Sequence, residues 1–345
     1  MAVKSKGVIT LADILAGRKG DGSFDSDIVE LFTEENPILD DISIIEANDG
    51  TTNRTTIRTG IPEPTWTAYY SGVKPAKGTK TQVKDVAGRM KSMLEIDAQL
   101  YEDTPDKDQL LKDELYGLTE GMTQAMADCL IYGKIANEPR AFNGLYNFYK
   151  TAGADLAKYD SKDSAHYVFS GDKNPTKGKA YRSLLLMGWS PSTITTFYPK
   201  GHKSAGLQRS ELRTVDTNDA DGGVYQVKRQ DLSWELGLSV RDYRYGGRIA
   251  NIDNETLLST NTDIDYVEMI HRLVSRVKNS QRVNRAFYMA NDLWEKVQVL
   301  FYRKTMGNAV AYQDVMQRFK TPTLLGIPVR ITDAMEVNED AVTIA

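Results

Sequence analysis

The side chains that most often do chemistry are few in this chain, and their spacing does not suit it. The three histidines are His166, His202 and His271. None lies within four residues of another or in an HExxH setting, so no zinc site is expected. The single cysteine, Cys129, excludes an intramolecular disulfide and a cysteine-cluster metal site. Its place on an apolar helical stripe reads as a buried, inert thiol. Gly237-Leu238-Ser239-Val240-Arg241 lacks the last glycine of a nucleophile elbow and falls in a strand pattern, which makes Ser239 a solvent-side residue. The segment from Gly171 to Lys179 has the wrong glycine spacing for a phosphate loop and ends in Ala180, and no GxGxxG follows a strand. The acidic pairs Asp25 and Asp27, and Asp40 and Asp41, lie in polar turns and read as solvated caps. No catalytic residue, metal or cofactor is expected.

Two other groups of residues suit contact better than catalysis. Arg241, Arg244, Arg248, Arg272, Arg276, Lys278, Arg282 and Arg285 form the one local concentration of basic charge, with Asp242, Asp253, Asp263 and Asp265 interleaved. A solvated or inter-subunit salt-bridge surface is the preferred reading, and a nucleic-acid-facing patch the alternative. Trp66, Tyr69 and Tyr70 lie on an irregular stretch broken by Pro62, Pro64, Gly72, Pro75 and Gly78. Aromatic side chains there have few local apolar partners, so another part of the protein or another copy must supply a surface. The candidate inter-subunit contacts are Trp66, Tyr69, Tyr70, Arg241, Arg244, Arg272 and Arg276.

The elements that carry these residues follow from composition and periodicity. The chain has 345 residues, enough for roughly two domains at about 150 residues each. Hydrophobic residues make up 41% and charged residues 26%, values of an ordinary folded soluble chain. Lys plus Arg number 43 against 47 Asp plus Glu, a formal charge of -4, so no whole-chain basic field draws it to nucleic acid. One cysteine suits a reducing compartment, the first residues do not read as a signal peptide, and no apolar run approaches a membrane span. Residues 1–26 read as an arm. Residues 27–45 read as a short helix broken at Pro37, then a turn into a strand. Residues 51–100 read as one long hairpin whose returning arm carries Val83, Val86, Met90, Leu94 and Ile96, with the aromatic stretch at its tip.

Thr104 and Pro105 signal a helix start. Leu111, Leu115, Leu118, Met122, Met126 and Cys129 then recur at helical spacing until Gly133, predicting a helix over 105–132 of about 40 Å. Gly117 and Gly121, four apart, permit close approach or gentle curvature. Residues 150–182 read as a surface excursion. Beyond them, strands are expected at Ile194–Tyr198, Val224–Val227 and Trp234–Val240, the last with one buried face. Thr262 and Asp265 form a capping-box pattern before a helix with Val267, Ile270, Leu273, Val274 and Val277 inward. A strand at Phe287–Met289, a helix from Asp292 to Arg303 capped by Asn291, and a strand pair around Leu324–Ile331 complete an α+β order.

In this order the parts resemble the major capsid proteins of tailed bacteriophages, the Hong Kong 97 type of fold. Phe142-Asn143-Gly144-Leu145, Phe287-Tyr288-Met289-Ala290-Asn291 and Leu324-Leu325-Gly326-Ile327-Pro328-Val329 look like recurrent capsid segments. The tract from Tyr243 to Asp253 is similar to coat proteins of the short-tailed phage subgroup. The resemblance implies an α+β chain with an N-terminal arm (1–26), the start of a peripheral domain (27–49) and an extended loop hairpin with peripheral-domain strands (50–100). A spine helix (101–140), an axial domain (141–325, with the insertion near 150–182) and a C-terminal strand and tail (326–345) would follow. It further implies a non-enzymatic coat protein that self-assembles into hexamers and pentamers and closes an icosahedral shell around double-stranded DNA, without sequence-specific binding and without a membrane. Fewer than thirty residues precede the first element, so the scaffold is expected to be a separate protein. A portal and a decoration protein are further candidate partners. The location implied is the virion, after assembly in the bacterial host cytoplasm. An encapsulin-like compartment shell is the structural alternative, and an enzyme with an unrecognised site the remaining one.

Overall fold

The computed structural model describes residues 34–58, 60–153, 164–201, 206–218, 222–258, 265–280, 283–305 and 322–344. The expected arm, the helix before Pro37, Asp25, Asp27, His202, Thr262 and Arg282 lie outside them. The centre of the sheet is β6 (Arg182–Trp189), buried from Ser183 to Trp189. Its run Leu184-Leu185-Leu186-Met187 is apolar on consecutive residues, the pattern of a strand covered on both faces. Leu185 and Met187 point into one core with the end of the long helix, and Leu184 and Leu186 into another. This alternation is the two-residue period of a strand.

The 12-stranded sheet grows outward from β6 in both directions. On one side β6 pairs antiparallel with β12 (Asn284–Met289), and β12 pairs in parallel with β14 (Ile327–Ile331). A short β13 (Thr323–Leu324) turns back onto β14 through Leu325 and Gly326, both at positive φ. Two such residues make the turn that matches strand twist, and glycine adopts it freely. On the second edge of β6, β11 (Gly246–Ile252) pairs antiparallel through Leu185–Met187, and β5 (Val168–Ser170) pairs in parallel with β11. The same edge also takes β7 (Ile194–Tyr198), which is joined by β1 (Ile44–Glu46) and then by β10 (Val224–Val240).

β10 has 17 residues, roughly 56 Å of strand. β7, β8 (Gln208–Arg209) and β9 (Arg213–Asn218) share one of its edges. β4 (Gly88–Asp97) takes the other edge in an unbroken antiparallel register from Val227↔Asp97 to Leu236↔Gly88. Among the described residues six helices frame these strands. α1 (Ile38–Asp41), α2 (Ala98–Asp103), α3 (Lys107–Tyr132) and α4 (Leu145–Phe148) precede the sheet's centre in sequence, and α5 (Tyr266–Arg276) follows it. A sixth, α6 (Asn291–Thr305), packs Leu293 and Val297 with Ile270 and Leu273 of α5 over Leu184, Leu186 and Phe287.

α3 has 26 residues, about 39 Å. Leu110, Leu115 and Met122 bury against Leu94, Ile96 and Leu232 of β4 and β10, while Met126, Leu130 and Ile131 enter the core at Leu185 and Met187. Leu111, Leu118 and Cys129 are only half-buried. Gly117 and Gly121 lie on the open side, where nothing comes within 4 Å of an added Cβ.

Several local expectations need correction. Thr104 does not cap α3: its hydroxyl donates to Leu100 O at 2.8 Å and closes α2, and Asp106 accepts from Gln109 N instead. Asp265, not Thr262, holds the N-cap position of α5, accepting from Glu268 N at 3.1 Å. The stretch 150–182 is not all excursion, because Ala152, Tyr167, Val168, Phe169 and Tyr181 are buried. The returning arm of the hairpin divides, with Val83 and Val86 in a projecting ribbon and Met90, Leu94 and Ile96 in β4. Asp41 is no solvated cap, since it accepts a fork from Arg330 at 3.0 Å and the Tyr288 hydroxyl at 2.9 Å.

Candidate assembly surfaces

β2 (Thr52–Arg58) and β3 (Lys80–Val86) pair antiparallel over seven residues and with no other strand. The β-branched Thr52, Thr55, Thr56 and Ile57 favour extended backbone, and seven residues carry the chain roughly 23 Å outward. Beyond the last pair every residue from Ile61 to Lys77 is exposed. Trp66 is 101% exposed, Tyr69 97% and Tyr70 109%, with Ile61 and Val73 also open. Five large apolar side chains thus stand on a projection without a core beneath them, the condition that marks a contact surface.

The root of the ribbon is held firmly. Ser239, read above as solvent-facing, is fully buried and donates to Asp85 Oδ2 at 2.6 Å. Burial raises the Asp85 carboxyl above its ordinary value, against the Ser239 hydrogen bond and the charge of Arg241. Ala87 N donates to Thr51 O at 3.0 Å, extending the ladder by one step at its base, and Lys200 N donates to Gly50 O at 2.9 Å, tying that base to the body.

The basic residues do not form one patch. Arg248 is buried and pairs with Glu339 at 2.8 Å. Its guanidinium also donates to Ser183 Oγ and Tyr149 O and lies 3.6 Å over the Tyr146 ring. Tyr146 and Ser183 donate to the same Glu339 carboxylate at 2.6 and 2.5 Å. Burial, then the charge of Glu339, pushes the Tyr146 hydroxyl well above its ordinary value. Arg241, Arg244, Arg272 and Arg276 are at least partly exposed and reach groups of their own chain. Arg244 forks onto Asp242, holding that carboxyl below its ordinary value although burial alone would raise it. Arg272 pairs with Glu268 one helical turn away at 2.5 Å, Arg276 donates to His166 O at 2.9 Å, and Arg241 donates to Pro191 O at 2.8 Å. The aromatic candidates therefore share one loop, while the arginines are distributed over the turn after β10 and the surface of α5.

Sequence reasoning missed the Arg248–Glu339 node because 91 residues separate its partners. Its only signal was an arginine inside the run Gly246-Gly247-Arg248-Ile249-Ala250, whose apolar neighbours demand a buried counter-charge. Among the described residues no group of His, Cys, Asp and Glu could hold a metal ion, and no helix is long and apolar enough to cross a membrane.

A family model for major capsid protein GP7 matches residues 19–343. The chain belongs to that family. As a major capsid protein it assembles with copies of itself into the capsid of a phage virion, a structural task. The bacteriophage Epsilon15 structure matches 100% of this chain and 100% of its own at 24% identity, with a TM-score of 0.77. The bacteriophage JBD30 capsid matches 95% of this chain and 99% of its own at 11% identity, with a TM-score of 0.50. Both show the fold, and the α+β capsid architecture of the Hong Kong 97 type is the one this major capsid protein has. The holo-SrpI encapsulin complex from Synechococcus elongatus covers 75% of this chain at 9% identity with a TM-score of 0.45, too slight a likeness to argue from. Curated protein sequences give no match.

Proposed function

We propose that this major capsid protein forms hexamers and pentamers that close into an icosahedral shell around double-stranded DNA, with the tip of residues 60–79 as a contact between subunits. The observation that carries the reading is the tip itself, where Trp66, Tyr69 and Tyr70 are fully exposed on a ribbon with no core of its own. Aromatic anchors dominate many interfaces, and a neighbouring copy in a shell supplies the surface they lack. Arg241, Arg244, Arg272 and Arg276 take the role of register-fixing contacts in this reading, and their partial exposure supports it. Residues 50–140 then serve as extended loop and peripheral domain, and 141–325 as the axial domain. The formal charge of -4 suits a wall that contains DNA without gripping it. A separate scaffolding protein and a portal serve its assembly in the host cytoplasm, and a decoration protein is a further candidate partner.

The test is the double variant Trp66→Ala/Tyr69→Ala. The subunit is expected to stay folded, with an unchanged denaturant midpoint, while shell formation seen by negative-stain microscopy is impaired. Normal particles of normal thermal stability from this variant would overturn the reading.

A further inference from the structure

At the root of the ribbon, where β3 gives way to β4, a pocket of about 300 Å³ opens to the surface. Its floor is apolar, formed by Met90, Met126, Cys129 and Phe142, and its mouth carries Arg89, Lys91, Glu138 and Arg140. Gly88 lets the walls close in, since a Cβ there would stand 3.1 Å from the Phe142 ring and 3.2 Å from the Ala141 backbone. This volume lies at the lower end for ligand sites, room for one large side chain and little more.

We infer that this pocket receives the indole of Trp66 from a neighbouring copy of the chain, an assignment that rests on the tip being an inter-subunit contact. The chemistry of the mouth favours that occupant. Arg89 is engaged by Glu235 at 2.7 Å. Glu138 is the one carboxylate of the mouth, accepting from the Arg140 backbone N at 3.4 Å, and it leaves Lys91 and the Arg140 guanidinium as excess positive charge there. A cation beside an apolar floor suits tryptophan, the aromatic ring that attracts cations most strongly. Glu63, exposed three residues before Trp66, brings a carboxylate to the same two cations. The chain's own tip cannot serve, because the seven-residue ribbon holds it roughly 23 Å from the pocket at its root. A knob and its socket at opposite ends of one ribbon make a head-to-tail contact, and such contacts close rings when the rotation allows. Each copy gives one tip and receives one, which is the connectivity of a hexamer or pentamer.

The single cysteine of the chain lies in the pocket, which makes the test direct. Thr65→Cys and Thr67→Cys, which keep Trp66, are each assembled into shells and then treated with copper phenanthroline or a short bismaleimide. Crosslinking to Cys129 of the next copy should give a ladder of covalent oligomers on denaturing gels, ending at the ring size, and dissociated subunits should give none. Shells from both variants without a ladder would overturn the pocket assignment. The tip contact itself would still stand if Trp66→Ala/Tyr69→Ala blocked assembly. A second measurement needs no substitution: wild-type subunits alkylated at Cys129 with a bulky maleimide should fail to form shells. Normal shells from fully alkylated subunits would equally overturn the assignment.

Discussion

Single residues carry two tests of how this capsid subunit is held together. The Arg248–Glu339 pair anchors the C-terminal segment, which also meets the body through the Tyr181↔Glu339 bridge. Leaving one buried charge without its partner costs about 3 to 5 kcal/mol, whereas replacing both by apolar groups can be nearly neutral. Glu339→Ala should therefore lower subunit stability by about that much in urea unfolding, and Arg248→Met/Glu339→Leu by clearly less. Asp85 offers a pH test. Its carboxyl is raised above 3.8 in the folded chain, chiefly by burial, so the folded state holds the proton more tightly than the unfolded one. Stability contributed by this group is present below the unfolded value and falls as pH rises through the window just above it. Asp85→Asn should flatten that fall in urea titrations carried upward from about pH 4. An unchanged slope would remove Asp85 from the account. The alternation from Trp234 to Val240 suggested one buried face and left Ser239 to water. Alternation reports the polarity of side chains, not whether another segment covers the polar ones, and here Asp85 from the ribbon does.

At the scale of the element, α3 was readable because its apolar spacing extends over many turns, yet its start was misplaced by two overlapping signals. Thr104 and Asp106 both have capping side chains, and only the structure shows a separate α2 ending at the first of them. The stripe was similarly close but rotated. Leu115 and Met122 are buried, whereas Leu118 is half-buried because its side of the helix lies at the edge of the sheet contact. Leu115→Ala should cost about 2 to 5 kcal/mol of subunit stability, and Leu118→Ala less. On the open side, Gly117→Ala adds a methyl group to empty space and should stabilise the isolated subunit by about 0.5 to 1 kcal/mol. A loss in thermal or urea unfolding would show that this face is packed within the subunit.

For the molecule as a whole, the order of parts was legible and their pairing was not. Hairpins such as β2–β3 and β13–β14 are local, so turn residues betray them; β10 meets β4 from more than a hundred residues away, and nothing in either strand names its partner. The proposed inter-subunit role of the surface arginines makes its own prediction. Reversing Arg241, Arg244, Arg272 and Arg276 to glutamate should disrupt empty shells in the absence of DNA. Empty shells that form normally but retain DNA less well as salt rises would mark those residues as a DNA-facing patch instead. The central claim is that the subunit completes its burial in its neighbours through the ribbon tip. A three-dimensional electron-microscopy reconstruction of shells assembled from the purified chain tests it most directly. Residues 60–79 are predicted to lie against an adjacent subunit with Trp66 covered, and a tip standing free in solvent in every subunit of a closed shell would contradict it.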